Sequence, residues 1–258
     1  MNLATLKLNN SRTVDAVKSL IPPAIYHAVY QKLIVKDIAS KPAYKPHYSP
    51  WLEPDFVREC EQVRSNTGLK KESLYTLRHF LGESLWLEGD VMECGVWRGG
   101  SARMLHQQIS ESHAAKRLHL FDSFEGMKRT DAEGDRHQPG DFDDTSLDHV
   151  RAVVLGSSAH DNEAKASVAF HRGWIPDTFT GLEDLRFCFA HIDLDLYRSI
   201  HDALAFIYPR LAQRGAIVFD DYGFASCPGA RKAVDEFFAD KPEQPFALHT
   251  AQAIVIKR

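Results

Sequence analysis

The sequence predicts an α/β fold: a mostly parallel seven-stranded sheet with helices on both faces and an antiparallel strand at its C-terminal end. Three observations predict it. From residue 70 onward short apolar runs alternate with stretches of helical period, the pattern of strand–helix–strand units. The apolar runs are near-continuous, as strands covered on both faces must be. The last two runs are joined by only a short turn, too short for a parallel crossover.

The elements follow in chain order. KKESLYTLRHFLGESLWLEG (70–89) reads as a helix ended by Gly89, because glycine tolerates the left-handed cap. DVMECG (90–95) reads as a short buried strand, and SARMLHQQISESHA as the helix after it. RLHLFDS (117–123) is a strand, SLDHVRAVVLGS a helix and SVAFHRG (167–173) a strand. RFCFAHIDLD (186–195) is a strand, SIHDALAFIYPRLA a helix, GAIVFDD (215–221) a strand and PGARKAVDEFFADK a helix. FALHT and AQAIVIKR form the closing antiparallel pair.

Ahead of this block the pattern differs, so the chain divides at residue 65: residues 1–65 an N-terminal extension, residues 66–258 the α/β domain. Residues 13–37 read as helix in two pieces, broken at Pro22 and Pro23. Ile25, Val29, Leu33 and Val35 form an apolar stripe suited to packing on the domain or on a second subunit, so a homo-oligomer is expected. Basic neighbours leave a membrane surface as the alternative. Residues 39–54 are proline-rich and read as an extended connector.

Composition excludes several classes. The 258 residues carry a formal net charge of -4, which gives no global electrostatic case for nucleic-acid binding. The first 50 residues hold a surplus of five positive charges, so the rest of the chain is acidic. The four cysteines, Cys60, Cys94, Cys188 and Cys227, are scattered without a CxxC pair, which suggests neither a zinc site nor a disulfide framework and fits a reducing cytoplasm. No run has signal-peptide character or reaches the roughly 18 apolar residues of a transmembrane segment.

The chemistry gathers at the predicted strand ends, where open parallel sheets bind ligands. The first strand leads into ECGVWRGGS (93–101), a glycine turn followed by a helix N-terminus. It is neither GxGxxG nor a phosphate loop, and no lysine follows Gly100. Glu93 would repel a pyrophosphate and suit a ligand bearing a cation. ExGxxxGxS after a first strand is the pattern of S-adenosylmethionine sites; a plain strand-to-helix turn is the bland alternative. Asp122, ending FDSFEGM, stands where a ribose diol is commonly bound, yet Asp122 and Ser123 are equally good helix caps. The fourth and fifth strands end in HIDLDLY and FDDYG. If these strands are neighbours, Asp193, Asp220 and Asp221 converge at one rim. Carboxylates that close raise one another's pKa. A hard divalent cation such as Mg²⁺ resolves the repulsion.

VMECGVWRGGSA, LFDSFEGM, GWIPDTF, HIDLDLY and DDYGFASCPGARKAVDEFF, in this order and spacing, resemble the TylF-like family of sugar O-methyltransferases, from about Tyr75 to the C-terminus. The resemblance implies a Rossmann-like class I methyltransferase fold using S-adenosylmethionine and Mg²⁺, with a sugar hydroxyl of a natural-product glycoside or polysaccharide as acceptor. Carried over residue by residue, it implies a cofactor site of Glu93, Gly95, Val96, Trp97, Arg98, Gly99, Ser101, Asp122, Ser123, Gly173, Trp174 and Asp193. It implies metal ligands Asp193, Asp220 and Asp221, and Asp195 as general base. Leu194 stands where the family's DGD motif has glycine, and Leu cannot adopt glycine-only conformations. Two rivals remain: a glycosyltransferase using Asp193-Leu194-Asp195 as a DxD metal motif, and methylation of a phenolic hydroxyl.

Residues 128–150 read as a polar loop beside the cofactor rim, suited to a substrate lid, with His137, Asp141 or Asp144 as candidate acceptor contacts. His191 reads as a packed strand histidine.

Overall fold

The computed structural model describes residues 49–127, 136–156 and 167–258. The helix expected over residues 13–37 lies outside them. Pro50 to Arg258 form one compact unit.

Its centre is a seven-stranded sheet: β1 (Asp90–Cys94), β2 (Leu118–Asp122), β3 (Val168–Arg172), β4 (Phe187–Ile192), β5 (Leu211–Phe219), β6 (Phe246–Ala247) and β7 (Ala253–Ile256). Their spatial order is β3-β2-β1-β4-β5-β7-β6. Strands β1 to β5 pair in parallel, whereas β7 is antiparallel to both β5 and β6. The order reverses between β2-β1 and β4, a switch point that opens a crevice at the carboxyl ends.

Apolar side chains fill both faces. Helices α5 (Tyr197–Arg210) and α6 (Pro228–Phe238) bury Ile200, Leu204, Ile207, Val234 and Phe238 against Met92, Phe187, Ile192, Ile217 and Phe219. Helices α2 (Lys71–Ser84), α3 (Gly100–Glu111) and α4 (Leu147–Leu155) cover the other face with Leu77, Leu81, Leu105, Ile109, Val150 and Val154. Each such side chain contributes about 1.5–3 kcal/mol when fully buried, which is why the sheet's position between the layers is firmly set. Helix α1 (Pro54–Val63) packs Phe56, Cys60 and Val63 onto Leu74 of α2 and Met104 of α3.

Several boundaries differ from expectation. Strand β5, expected over 215–221, runs from Leu211 to Phe219. Helix α2 stops at Ser84, before Gly89. Gly89 instead takes φ +99°, and a Cβ there would stand 2.8 Å from the Arg186–Phe187 backbone. Strand β4 stops at Ile192, so Asp193 and Asp195 lie past its end. The left-handed conformation there falls on Asp195 (φ 59°), not on Leu194. Aspartate tolerates that region because its short side chain bonds locally, so leucine at 194 costs the turn nothing.

No helix among the described residues is long and apolar enough to cross a membrane.

Candidate functional site

The carboxyl ends of β1, β2, β4 and β5 border one cavity of about 410 Å³. Backbone hydrogen bonds carry the parallel ladder past the strands and lock the rim. Gly95 N–H donates to Phe121 O, Asp193 N–H to Cys94 O (2.9 Å) and Asp220 N–H to Ile192 O (2.9 Å). Gly95, at φ +84°, is indispensable here: a Cβ would stand 1.7 Å from the Asp193 carbonyl oxygen. Glycine at 95 therefore decides how closely the first loop and the acidic strand ends approach.

The loop after β1 turns through Trp97 (φ 46°) and Gly99 (φ 85°) into α3. Gly95, Val96, Trp97 and Ser101 line the cavity. Gly99 caps α3, and a Cβ there would press within 3.1 Å of Val150. Arg98 stacks over Trp97 and pairs with Asp144, which also accepts from Trp97 Nε1 at 2.7 Å. These bonds hold the Asp144 carboxyl below its ordinary value, Trp97 contributing most.

Asp122 ends β2 and lines the cavity, as do Ser123, Gly173 and Trp174. Its carboxylate is already engaged. Oδ2 accepts from the Val96 and Trp97 N–H groups (2.7 and 3.0 Å), and Oδ1 from Phe124 N–H (2.7 Å). Asp122 caps no helix among the described residues; its carboxylate braces the loops after β1 and β2 while the residue lines the crevice.

Glu93 departs from expectation. It is fully buried, its Oε1 lies 2.8 Å from His191 Nδ1, and it is not among the residues lining the cavity. Period-two alternation turns its side chain into the sheet's interior layer beside His191, which β4 brings opposite in register. Glu93 Oε2 and His191 Nε2 have no hydrogen-bond partner among the described residues.

The four aspartates of the β4 and β5 ends all line the cavity. Carboxylate oxygens of Asp193, Asp195 and Asp221 lie within 4.8 Å of one another. Asp195 also donates its backbone N–H to Asp221 Oδ2 at 2.8 Å. Asp220 is turned slightly aside, where the buried Gln252 donates to its Oδ1 at 3.0 Å. Burial pushes the Asp193 and Asp221 carboxyls well above their ordinary range, and the neighbouring aspartates push them further. Asp220 is also raised, mainly by burial, with His191 and Gln252 opposing. Three acidic oxygens converging from one buried and two half-buried residues, with no lysine or arginine paired to them among the described residues, fit a hard divalent ion.

Sequence reasoning missed Gln252 and Cys227 as members of the site. His137 was one of three loop candidates. The structure separates them: His137 lines the cavity, Asp141 stands behind it, and Asp144 braces Trp97 and Arg98. No local motif marks Gln252; only the pairing of β7 with β5 brings it to Asp220.

This fold, with a glycine turn after β1 and an acidic rim at β4 and β5, is that of the class I O-methyltransferases. The profile of the family described as Macrocin-O-methyltransferase (TylF) matches residues 75–246. The chain belongs to that family. It is 34% identical over 157 residues to the 8-demethyl-8-(2,3-dimethoxy-alpha-L-rhamnosyl)-tetracenomycin-C 4'-O-methyltransferase of Streptomyces olivaceus, a match spanning 58% of each chain. It is 30% identical over 185 residues to the mycinamicin III 3''-O-methyltransferase of Micromonospora griseorubida, covering 67% of this chain and 70% of that one. Among solved structures, the O-methyltransferase NovP superposes with a TM-score of 0.64 at 23% identity, covering 89% of this chain and 98% of that one.

Proposed function

We propose that this protein transfers a methyl group from S-adenosylmethionine to a hydroxyl of a sugar carried by a natural product or polysaccharide, with Mg²⁺ as the assisting ion. The single observation that carries the proposal is the convergence of Asp193, Asp195 and Asp221 beside the Gly95 loop in one cavity. The similarity to a rhamnosyl-tetracenomycin-C 4'-O-methyltransferase and to a mycinamicin III 3''-O-methyltransferase supports the acceptor class.

In this reading the 95–101 turn, Asp122, Ser123, Gly173 and Trp174 hold the methyl donor. Glu93 serves that site from behind, through His191 and the sheet, in place of direct contact with the donor's amino group. Asp193 and Asp221, with Asp220 braced by Gln252, hold Mg²⁺, which when bound supplies Lewis-acid polarisation of the acceptor hydroxyl. The site orients the hydroxyl in line with the sulfonium methyl. Asp195 takes the hydroxyl proton as the carbon–sulfur bond breaks and the carbon–oxygen bond forms, leaving S-adenosylhomocysteine and the methyl ether. Residues 50–65, expected to belong to the extension, pack within the α/β unit; the basic sequence ahead of them is assigned to self-association, and light scattering of the full chain at a mass of one copy would remove that part.

Isothermal titration tests the class. S-adenosylmethionine or S-adenosylhomocysteine should bind at micromolar levels, and a vicinal-diol sugar acceptor should add a Mg²⁺ requirement that EDTA abolishes. Binding of a nucleotide sugar, with neither donor form bound, would replace this reading with the glycosyltransferase one.

A further inference from the structure

Beside the all-oxygen cluster lies a second group of different chemistry. His137 Nε2 and Asp195 Oδ1 are 3.2 Å apart, Cys227 Sγ and Asp195 Oδ1 3.2 Å, and Cys227 Sγ and His137 Nε2 3.5 Å. Tetrahedral coordination of Zn²⁺ at its usual bond lengths places nitrogen and oxygen about 3.4 Å apart, and sulfur about 3.6 Å from either. The sulfur–nitrogen edge matches within about 0.1 Å, the nitrogen–oxygen edge within about 0.2 Å and the sulfur–oxygen edge within about 0.4 Å. All three residues line the cavity, so a fourth position opens toward it.

The surroundings suit a cation. Asp141 Oδ2 lies 3.0 Å from His137 Nδ1. Asp141 also accepts from Gln138 N–H at 3.0 Å, and these bonds keep its carboxyl below the ordinary value, the Gln138 amide contributing most. An ionised carboxylate there takes the ring's N–H. A proton or a metal cation between Nε2 and the Asp195 oxygen accounts for their 3.2 Å approach, and a divalent cation also reaches Cys227 Sγ. A carboxylate behind a histidine is the usual outer support of a metal-binding imidazole. Ser226 Oγ lies 3.4 Å from Cys227 Sγ, in position to donate to a thiolate. Burial by itself pushes the Cys227 thiol up, so the bare protein keeps the S–H; metal binding releases that proton to solvent.

We propose that His137, Asp195 and Cys227 form a binding site for a borderline-soft divalent cation of the zinc class, which shares Asp195 with the oxygen-only cluster of Asp193, Asp195 and Asp221. Mixed nitrogen, sulfur and oxygen ligands select such an ion over Mg²⁺. Binding stands independently of methyl transfer. Its consequence rests on the proposed function: a filled site engages Asp195 and removes the proposed base.

Cobalt(II) is the probe. The full reduced chain, in excess Mg²⁺, is titrated with Co²⁺. One equivalent should produce a near-ultraviolet thiolate-to-cobalt band and visible bands of tetrahedral intensity, and Zn²⁺ should bleach them. Cys227→Ser should lose the near-ultraviolet band. Asp141→Asn should weaken binding by roughly 10- to 100-fold, the usual cost of losing such a support. Asp221→Asn should keep the band, with near-ultraviolet circular dichroism checking that each variant is folded. Wild-type protein that takes up Co²⁺ without a thiolate band, or takes up none, overturns the proposal, and so does a band that survives Cys227→Ser. The wild-type titration decides without any variant.

Discussion

Asp122 and Asp221 stand on the same rim, at the ends of β2 and β5, and line the same cavity. They live under opposite conditions. Asp122 receives three backbone N–H groups from the loops after β1 and β2. Asp221 receives one, from Asp195, and is otherwise pressed against other carboxylates and raised well above its ordinary pKa by burial first and by Asp195 and Asp220 next. The first acid is a structural acceptor whose partners come from the chain. The second is a buried acid to which the described chain offers no cationic partner. The difference separates an aspartate that builds the site from aspartates that await something from outside.

The sharpest test of this contrast is turnover. Asp193→Asn or Asp221→Asn should remove the Mg²⁺ dependence and lower kcat by on the order of a thousandfold, the scale of several kcal/mol of lost charge stabilisation. Asp195→Asn should cost about a hundredfold in kcat, the lower end for loss of a general base. Steady-state kinetics with saturating donor read both. Equal Mg²⁺ responses in wild type and Asp221→Asn would break the contrast.

Stability should move in opposite directions. Asp122→Ala leaves three N–H groups without their acceptor and should lower unfolding free energy by about 1–3 kcal/mol. Asp221→Asn relieves repulsion and should raise that of the metal-free protein by about 1 kcal/mol, the usual stability–function trade. Urea unfolding in EDTA measures both. A destabilised Asp221→Asn would show that the cluster is structural after all.

The smallest effect is in pH. The folded-state carboxyls of Asp193 and Asp221 lie above the ordinary 3.8, so the folded protein holds protons that the unfolded chain releases. Their contribution to stability is present in full below 3.8 and is lost as pH rises through the raised values. In EDTA the advantage of Asp221→Asn over wild type should therefore grow from acid toward neutral pH, and Mg²⁺ should erase it. Melting curves across that range would show a flat difference if the shift is absent.

Much of the fold was written locally. Apolar runs of strand length, helical stretches between them and the short final turn specify seven strands and their sense, because burial on two faces leaves its mark in consecutive residues. The glycine turn at 95–101 and the aspartates after β4 and β5 were legible for the same reason: each motif is contiguous. Loop-level details were less so. Gly89 looked like a helix cap and proved to be a point of close backbone approach.

By itself, then, the sequence determined the order of the strands along the chain, the apolar layers they need, and which acids stand at the strand ends. Only the tertiary structure decided which of those acids are satisfied. Asp122 is neutralised by amides about 25 residues earlier in the chain, Glu93 is turned to His191, and Asp220 is braced by Gln252. It alone brought His137 to Asp195 and Cys227, residues up to 90 apart in sequence. The physical reason is that local propensity and hydrophobic period act over a few residues, whereas the state of a buried charge is set by every group within a few ångströms, whatever its place in the chain.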